Sequence, residues 1–129
     1  MVKMQEQKTK IQNFTDLEAW KVAHKLVIGI YKLTQKYPHG EQFGIVNQMR
    51  RAAVSITSNI AEGFSRMSLK EKAQFYAIAK GSLTEIENQL IISRDIRYMS
   101  AEDFERIESE VRQTNRLITG LLKYARNVS

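Results

Sequence analysis

The chain has 129 residues, of which 43% are hydrophobic, and it carries a formal net charge of +6. This length allows one domain with a continuous core and leaves no room for a second. The absence of cysteine excludes disulfides, thiolate nucleophiles and cysteine-based zinc sites. With a single proline and six glycines, the sequence lacks the frequent turn signals of an all-β fold, so we expect helices.

The first part of the chain, residues 1–13, is polar and charged, and we predict that it forms a flexible N-terminal segment. It has no apolar stretch of the kind found in a signal peptide. The apolar runs elsewhere fall far short of the roughly 20 residues that span a bilayer. We therefore expect a cytoplasmic protein that does not contact the membrane, with a single domain over residues 14–129.

Local start signals divide this domain into four predicted helices. Three of them begin with Ser or Thr followed three residues later by an acidic residue, the spacing of a helix capping box: Thr15 and Glu18, Ser68 and Glu71, and Ser100 and Asp103. A Pro-His-Gly break at residues 38–40 precedes the remaining helix. The predicted helices cover residues 16–37, 41–66, 69–95 and 101–127. Their similar lengths and short connections are typical of an all-α, up-down-up-down antiparallel four-helix bundle.

The first helix has more apolar surface than one bundle needs. Its apolar residues wrap about 220° of the circumference, whereas a surface helix needs a stripe of only about 100°. They are Leu17, Trp20, Ala23, Leu26, Val27, Ile28, Ile30, Tyr31 and Leu33. The surplus predicts a contact with another subunit, and hence a homo-oligomer. The alternative is a helix buried deeply within a single bundle.

The second helix carries an apolar and a polar ridge along different sides. The apolar ridge consists of Ile45, Met49, Ala53, Ile56, Ile60 and Phe64. The polar ridge consists of Gln48, Arg51, Ser55, Asn59, Glu62 and Arg66. A merely solvated face would contain Lys, Glu and Gln, because Ser and Asn are poorer helix formers. The polar ridge therefore indicates hydrogen bonding between helices or subunits, which we favour over catalysis.

Two further features support this interpretation of the polar ridge. Glu85 and Glu87 on the third helix are candidate partners for Arg51. Small residues let helices approach closely, and we expect Gly63 and the Gly81-Ser82 pair to serve this purpose.

The fourth helix combines an apolar seam with a charged arc on the opposite side. The seam consists of Phe104, Ile107, Val111, Thr114, Ile118, Leu121, Ala125 and Val128. The arc runs from acidic to basic residues: Glu105, Glu108, Arg112, Arg116, Thr119, Lys123 and Arg126. Pairing of Glu108 with Arg112 and ordinary solvation would explain such an arc. Repeated around an oligomer, however, it forms a basic girdle for the phosphates of a nucleic acid, which Arg50, Lys70 and Lys72 extend.

The two histidines, His24 and His39, have no catalytic or metal-binding set around them. Di-iron bundles carry Glu three residues before His, whereas these positions hold Lys21 and Lys36. His24 lies among the apolar positions of the first helix, which favours a core or interface role, and His39 lies in a loop. The sequence has no glycine-rich phosphate loop. We expect no enzymatic activity, no metal and no cofactor.

Four stretches that span nearly the whole chain resemble one known family. They are Phe14-Thr-Asp-Leu-Glu-Ala-Trp20 and residues 31–38, 48–66 and 78–85. On these residues the chain resembles the 23S rRNA intervening-sequence family of four-helix-bundle proteins, to which the accessory variability determinant of diversity-generating retroelements is related. The resemblance implies a homopentameric barrel. It also implies binding of nucleic acid and a reverse transcriptase, as in the accessory determinant.

Two functions from different classes remain open. We expect a non-enzymatic, basic, oligomeric scaffold whose partners are other copies of itself and RNA or a protein–nucleic-acid complex such as one with a reverse transcriptase. The alternative is a purely structural protein-interaction module whose positive charge is incidental. Only the first predicts RNA binding that weakens steeply with salt.

Overall fold

The structure, a computed structural model, describes residues 10–127. Within this range the protein consists of four α-helices, two short 3-10 turns and no strand, which confirms the all-α prediction. The helices are α1 (Glu18–Thr34), α2 (Ile45–Ser65), α3 (Leu69–Asp95) and α4 (Ala101–Asn127), and the 3-10 turns are Phe14–Asp16 and His39–Glu41. Most of the N-terminal segment that we predict to be flexible, residues 1–9, lies outside the described range.

The start of α1 differs from the prediction that Thr15 and Glu18 form a capping box. Asn13 is the cap instead, because its side chain accepts a hydrogen bond from the Thr15 backbone N–H at 3.0 Å. Asp16 completes this box by accepting hydrogen bonds from the backbone N–H groups of Gln12 and Asn13 at 2.9 and 3.1 Å. The capped element is the 3-10 turn, and α1 follows it from Glu18 without a side-chain cap.

The connection between α1 and α2 is longer than predicted, so both helices are shorter. The last residues of the predicted first helix, 35–37, form tight turns in which Lys36 and Tyr37 donate to carbonyls three residues earlier. A proline disfavours helical geometry in the residue before it, which explains why α1 does not continue to Pro38. Gly44 has φ −108° and ψ −117°, outside the helical region, and α2 begins at Ile45 rather than at residue 41.

The starts of α3 and α4 are confirmed, and both are capped by serine. The Ser68 hydroxyl accepts a hydrogen bond from the Glu71 N–H at 3.1 Å, and the Ser100 hydroxyl accepts one from the Asp103 N–H at 3.0 Å. These caps satisfy N–H groups that have no partner within the helix.

The four helices pack in a cycle, in which each helix contacts the two beside it: α1 with α2, α2 with α3, α3 with α4, and α4 with α1. This arrangement confirms a four-helix bundle. Aliphatic side chains from all four helices fill its centre, among them Leu26, Ile30, Met49, Ile56, Leu83, Ile86, Ile107 and Ile118. Their removal from water supplies the main favourable contribution to folding.

The seam of α4 is buried along most of its length. Phe104, Ile107, Val111, Thr114, Ile118 and Ala125 are buried as predicted, and Val128 lies outside the described residues. Leu122 replaces Leu121 in the buried set, and Leu121 is only half-buried. The buried Thr114 hydroxyl donates to the Glu110 carbonyl at 2.7 Å, which removes the cost of burying an unpaired hydroxyl.

Helices α2 and α3 approach each other closely at Gly63. A Cβ atom added there would lie 2.6 Å from Cε1 and 2.9 Å from Cδ1 of Tyr76, distances too short for non-bonded carbon atoms. The Tyr76 ring is buried in this contact, and the burial raises the pKa of its hydroxyl. Gly63 therefore permits close helix approach, as predicted. Gly81 does not, because an added Cβ there would meet nothing within 4 Å.

We predict that Gly63→Ala destabilises the fold although alanine is the better helix former. The new methyl group would collide with Tyr76, and overpacking of this kind costs about 1–3 kcal/mol. Gly120→Ala is the matched control, since Gly120 also lies within a helix but faces open space. It should raise the free energy of unfolding by about 0.5–1 kcal/mol. Chemical denaturation measures both changes, and an equally stabilised Gly63→Ala variant would contradict the described packing.

Candidate nucleic-acid interface

An open groove lies between α3 and α4. One stretch has a volume of about 650 Å³, and a second stretch of about 630 Å³ adjoins it, because Ala77 and Arg126 line both. The floor is formed by small or apolar residues: Ala73, Ala77, Gly81 and Leu122. The rim carries four cations: Lys70, Lys80, Lys123 and Arg126. We call this feature the α3–α4 groove.

All charged side chains that line the α3–α4 groove in the described structure are cationic. Lys80 is held in place, because its ammonium group donates to Asn115 Oδ1 at 2.8 Å and to Thr119 Oγ1 at 2.9 Å. Both acceptors are neutral, so the positive charge of Lys80 is not compensated by them. The groove is therefore a site of positive potential for an anionic ligand.

The structure brings together part of the basic set proposed from sequence. Lys70, Lys123 and Arg126 meet at the α3–α4 groove although they come from two helices. Arg116 is exposed and lies on the same arc of α4 as Lys123. Arg112, also exposed, forms an ion pair with Glu108 at 2.8 Å, as its spacing indicates.

The other two residues of this basic set are engaged within the protein. Arg50 donates from Nε to the Thr34 hydroxyl at 2.9 Å and stacks on the Tyr31 ring, 4.6 Å from its centre, so it joins α2 to α1. Lys72 donates to the Phe64 carbonyl at 2.7 Å at the C-terminal end of α2. Neither residue lines the α3–α4 groove, and we do not include them in the interface.

Lys80 was not part of the set proposed from sequence. A helix periodicity shows which residues share a face of one helix but not which faces of two helices meet. The available signal was its setting, a lysine between the small residues Ala77, Ala79 and Gly81. Small side chains leave a depression in the surface beside them. The long side chain of a lysine at such a position therefore lies at the edge of a groove.

The polar ridge of α2 makes one hydrogen bond between helices. The hydroxyls of Ser55 and Ser82 are 2.8 Å apart and join α2 to α3. Asn59 donates its amide to the Ser55 carbonyl at 2.8 Å and to the Ser55 hydroxyl at 3.1 Å, which are contacts within α2. Ser82 is buried, so this pair satisfies polar groups inside the helix contact.

The ends of the polar ridge face solvent in the single chain. Glu62 pairs with Arg66 at 2.7 Å on the surface. Arg51 is exposed, and among the described residues it forms no ion pair, so the predicted pairing with Glu85 or Glu87 is wrong. Ser55 pairs with Ser82 across the α2–α3 contact. Glu85 lines the same depression as Arg51 without forming an ion pair with it, and Glu87 is exposed.

A separate apolar surface lies along α1 and α2. Ile28, Tyr31 and Val54 are 43%, 38% and 41% exposed, so part of the apolar arc of α1 is not covered by the bundle. His24 is exposed and stacks on Trp20 with ring centres 4.7 Å apart, so it is not a core residue, and its predicted interface role stays a prediction. Exposed apolar patches of this kind are typical of interaction surfaces.

Two further observations concern metal ligands and membrane-spanning helices in residues 10–127. In this part of the chain, no group of three or more His, Asp or Glu side chains is arranged to hold a metal ion. Within the same range, no helix is both long and apolar enough to cross a membrane.

The fold and the groove together define a basic four-helix bundle with an open cationic surface. The sequence pattern of the 23S rRNA-intervening sequence protein family matches residues 15–120, and the chain belongs to this family. A solved structure from Bacteroides thetaiotaomicron VPI-5482, a protein of unknown function from the S23 ribosomal protein family, is similar in fold. The TM-score is 0.76 at 22% identity, over 81% of this chain and 95% of the other. No curated protein matches the chain.

We predict that the Ser55–Ser82 hydrogen bond contributes measurably to the α2–α3 contact. Replacing either serine by alanine leaves the other hydroxyl less well satisfied, and the coupling in a double-mutant cycle should be about 0.5–1.5 kcal/mol. Asn59→Leu should also destabilise, because it removes a second donor to Ser55. Ser58→Ala, at an exposed position of the same helix, is the control. Zero coupling in urea unfolding would show that the pair does not hold the helices together.

Proposed function

We propose that this protein is a non-enzymatic, oligomeric scaffold that binds RNA through the α3–α4 groove and the adjoining basic arc of α4. The observation that carries the proposal is the convergence of Lys70, Lys80, Lys123 and Arg126 on one open groove whose described lining contains no acidic residue. Arg112 and Arg116 extend the positive surface along α4. This arrangement suits a polyanion, because each neutralised phosphate releases counterions.

The physical basis of binding is electrostatic. Among the described residues that line the groove, none is aromatic, so the groove offers no stacking platform of the kind found in many sequence-specific RNA-binding domains. Arginine and lysine at its rim contact phosphates without reading base identity. The name of the family supports RNA as the polyanion, and a reverse transcriptase or another protein–nucleic-acid complex is a further partner implied by the resemblance.

The second part of the proposal is self-association. The uncovered side chains of Ile28, Tyr31 and Val54 favour burial against another copy of the chain. Arg51 lies on the same side and lines a depression together with Tyr31 and Val54. The resemblance points to a pentamer. In such a ring the basic surface of each copy is repeated, which increases the number of phosphates that one RNA can contact.

The proposal also includes an up-down order of the helices and the absence of enzymatic activity. The connections of only a few residues between α2 and α3 and between α3 and α4 favour antiparallel neighbours, and hence an up-down bundle. The described lining of the groove contains no histidine, aspartate or glutamate, so we assign the groove binding and no reaction. The alternative function is a structural module that binds no nucleic acid, and the exposed apolar surface of α1 and α2 favours it as well. The RNA-binding experiment below distinguishes the two functions.

We predict that the protein assembles through the surface of Ile28 and Val54. Light scattering at micromolar concentration should give a mass well above 14.9 kDa, and near five times this value for a pentamer. The double variant Ile28→Asp and Val54→Asp should have a lower mass, because burying the new charges is costly. Ile92→Asp, an equally exposed isoleucine on α3, is the matched control. A wild-type mass equal to one chain would contradict self-association.

We predict that RNA binding weakens when Arg116, Lys123 and Arg126 are replaced together by Gln. The log–log slope of affinity against salt should become shallower by about 2 for single-stranded RNA, since three phosphate contacts are lost. The control replaces three exposed cations that lie outside the groove and outside the Ile28 face of α1 by Gln, and so has the same net charge: Lys10, Lys36 and Arg97.

Fluorescence anisotropy over a salt series measures both variants, with light scattering to verify assembly. An equal loss in the two variants would mean that net charge alone, and not this surface, governs binding. No binding by the wild type at low salt would favour the structural alternative.

A further inference from the structure

The surface that we propose for self-association is cationic as well as apolar. The depression between α1 and α2 has a volume of about 530 Å³, and in the described structure both charged residues that line it are arginines, Arg50 and Arg51. On α1, Lys25 and Lys32 lie three residues before and four residues after Ile28, so all three side chains share one exposed face. We call Ile28 with these lysines and the depression the α1–α2 surface.

Two α1–α2 surfaces do not complement each other. Such a contact would place the lysines and arginines of one copy against those of the other, and like charges across an interface repel. Glu18 and Lys21, which extend the face of Ile28 toward the start of α1, carry one charge of each sign and do not change this balance. The complement of the α1–α2 surface is therefore an exposed face that is both apolar and acidic.

The chain contains such a face on α3. Glu71, Ile78 and Glu85 are spaced by seven residues, close to two helical turns, so their side chains form one row. All three are exposed, and Ile78 is 51% exposed. Ser82, which bonds to Ser55 of α2, lies on the same side of the helix between Ile78 and Glu85, so the row follows the edge of α3 beside α2. We call it the α3 row, and none of its residues lines the α3–α4 groove.

The glutamates of the α3 row have no cationic partner within the described chain. Among residues 10–127, neither Glu71 nor Glu85 forms an ion pair, and the same is true of Lys25 and Lys32 on α1. Glu85 lines a depression together with Arg51 without pairing with it. Each of the two faces therefore carries charges of one sign, without ion pairs, around an exposed isoleucine.

From these two faces we propose that the α3 row of one copy packs on the α1–α2 surface of a second copy, with Ile78 against Ile28 and the glutamates against the lysines. This inference rests on the proposed self-association and adds the identity of the second face. Because two different faces meet, the contact is head-to-tail, and repetition of such a contact generates a ring when the rotation closes.

The spacing along the two helices agrees with this pairing. Each glutamate of the α3 row lies seven residues from Ile78, which corresponds to about 10 Å along a helix. Lys21 and Lys32 lie seven and four residues from Ile28, or about 10 and 6 Å. The remaining difference of about 4 Å is within the reach of a flexible lysine side chain, which has a four-carbon stem.

A nucleic acid is a less suitable occupant of the α1–α2 surface. Its phosphates would pair with the cations but would leave Ile28 and Val54 without apolar cover. It would also leave the α3 row without a partner, because phosphates and carboxylates repel each other. A second copy covers exposed isoleucines on both faces and pairs both sets of charges in one contact.

Disulfide crosslinking tests which faces meet. The chain has no cysteine, so a disulfide forms only between thiols that are introduced. Ile28→Cys and Ile78→Cys would be refolded together as a mixture and oxidised with glutathione disulfide. The control mixture contains Ile28→Cys and Ile92→Cys, because Ile92 is also exposed but lies about 21 Å along α3 from Ile78. We expect the covalent dimer to form about tenfold faster in the first mixture, since a disulfide requires Cα atoms within about 7 Å.

Charge reversal tests the same pairing without a covalent bond. Glu71→Lys with Glu85→Lys reverses the α3 row, and Lys25→Glu with Lys32→Glu reverses the α1 side of the contact. Each double variant alone brings like charges together, so its mass in light scattering should fall toward the 14.9 kDa of one chain. An equimolar mixture of the two variants should regain the wild-type mass, because every contact between them joins opposite charges.

The control for charge reversal has the same net charge as the α3 variant. It replaces Glu87 and Glu105, which are exposed on α3 and α4 outside the row, by Lys and should keep the wild-type mass. Circular dichroism checks the folding of each variant.

Each other outcome has a distinct meaning. A wild-type mass equal to one chain would refute the proposed self-association itself. If the wild type assembles, the inference is overturned by an α3 variant that assembles equally well, by charge variants whose mixture stays dissociated, or by equal crosslinking in the two mixtures. Crosslinking of Ile28→Cys with itself would show that two α1–α2 surfaces meet and would also overturn it. Assembly that requires RNA and is lost in Lys25→Glu with Lys32→Glu would assign the α1–α2 surface to nucleic acid, with the same consequence.

Discussion

The close packing of α2 against α3 is the constraint on which the rest of the structure depends. Gly63 gives the Tyr76 ring room to lie against α2, and the Ser55–Ser82 pair removes the cost of burying hydroxyls in the same contact. Because one side of α3 is committed to α2 and to the core, its opposite side faces outward beside α4. That side carries Lys70, Lys80 and the small residues Ala73, Ala77 and Gly81. The α2–α3 contact therefore determines where the groove lies.

The two outer surfaces of the bundle differ in chemistry. The α1–α2 surface exposes Ile28 and Val54, and covering these side chains with another protein surface lowers the free energy. The α3–α4 groove carries lysine and arginine side chains beside small and apolar residues, which suits an extended polyanion. The proposed self-association and the proposed RNA binding thus involve different sides, so a variant of the groove is expected to leave self-association unchanged. The same separation allows several copies of the groove to contact one RNA.

Much of the fold could be predicted from the sequence, and the limits have physical causes. The bounds of α3 and α4 agree with the prediction because serine caps at Ser68 and Ser100 define their starts. The bounds of α1 and α2 do not, because short 3-10 turns, which have no clear sequence signal, occupy both connections before these helices. In the site, the periodicity of α4 identified Lys123 and Arg126, but it could not show that Lys80 of another helix lies beside them.

The central claim, that RNA occupies the α3–α4 groove, is tested most directly by photo-crosslinking. The assembled wild-type protein would be irradiated with a single-stranded RNA containing 4-thiouridine, and the crosslinked peptides would be identified by mass spectrometry. If RNA occupies the groove, we expect crosslinks within residues 70–84 of α3 and 115–126 of α4, which line or border the groove. Crosslinks concentrated on the apolar surface around Ile28 and Val54, or spread evenly over all exposed lysines and arginines, would contradict it.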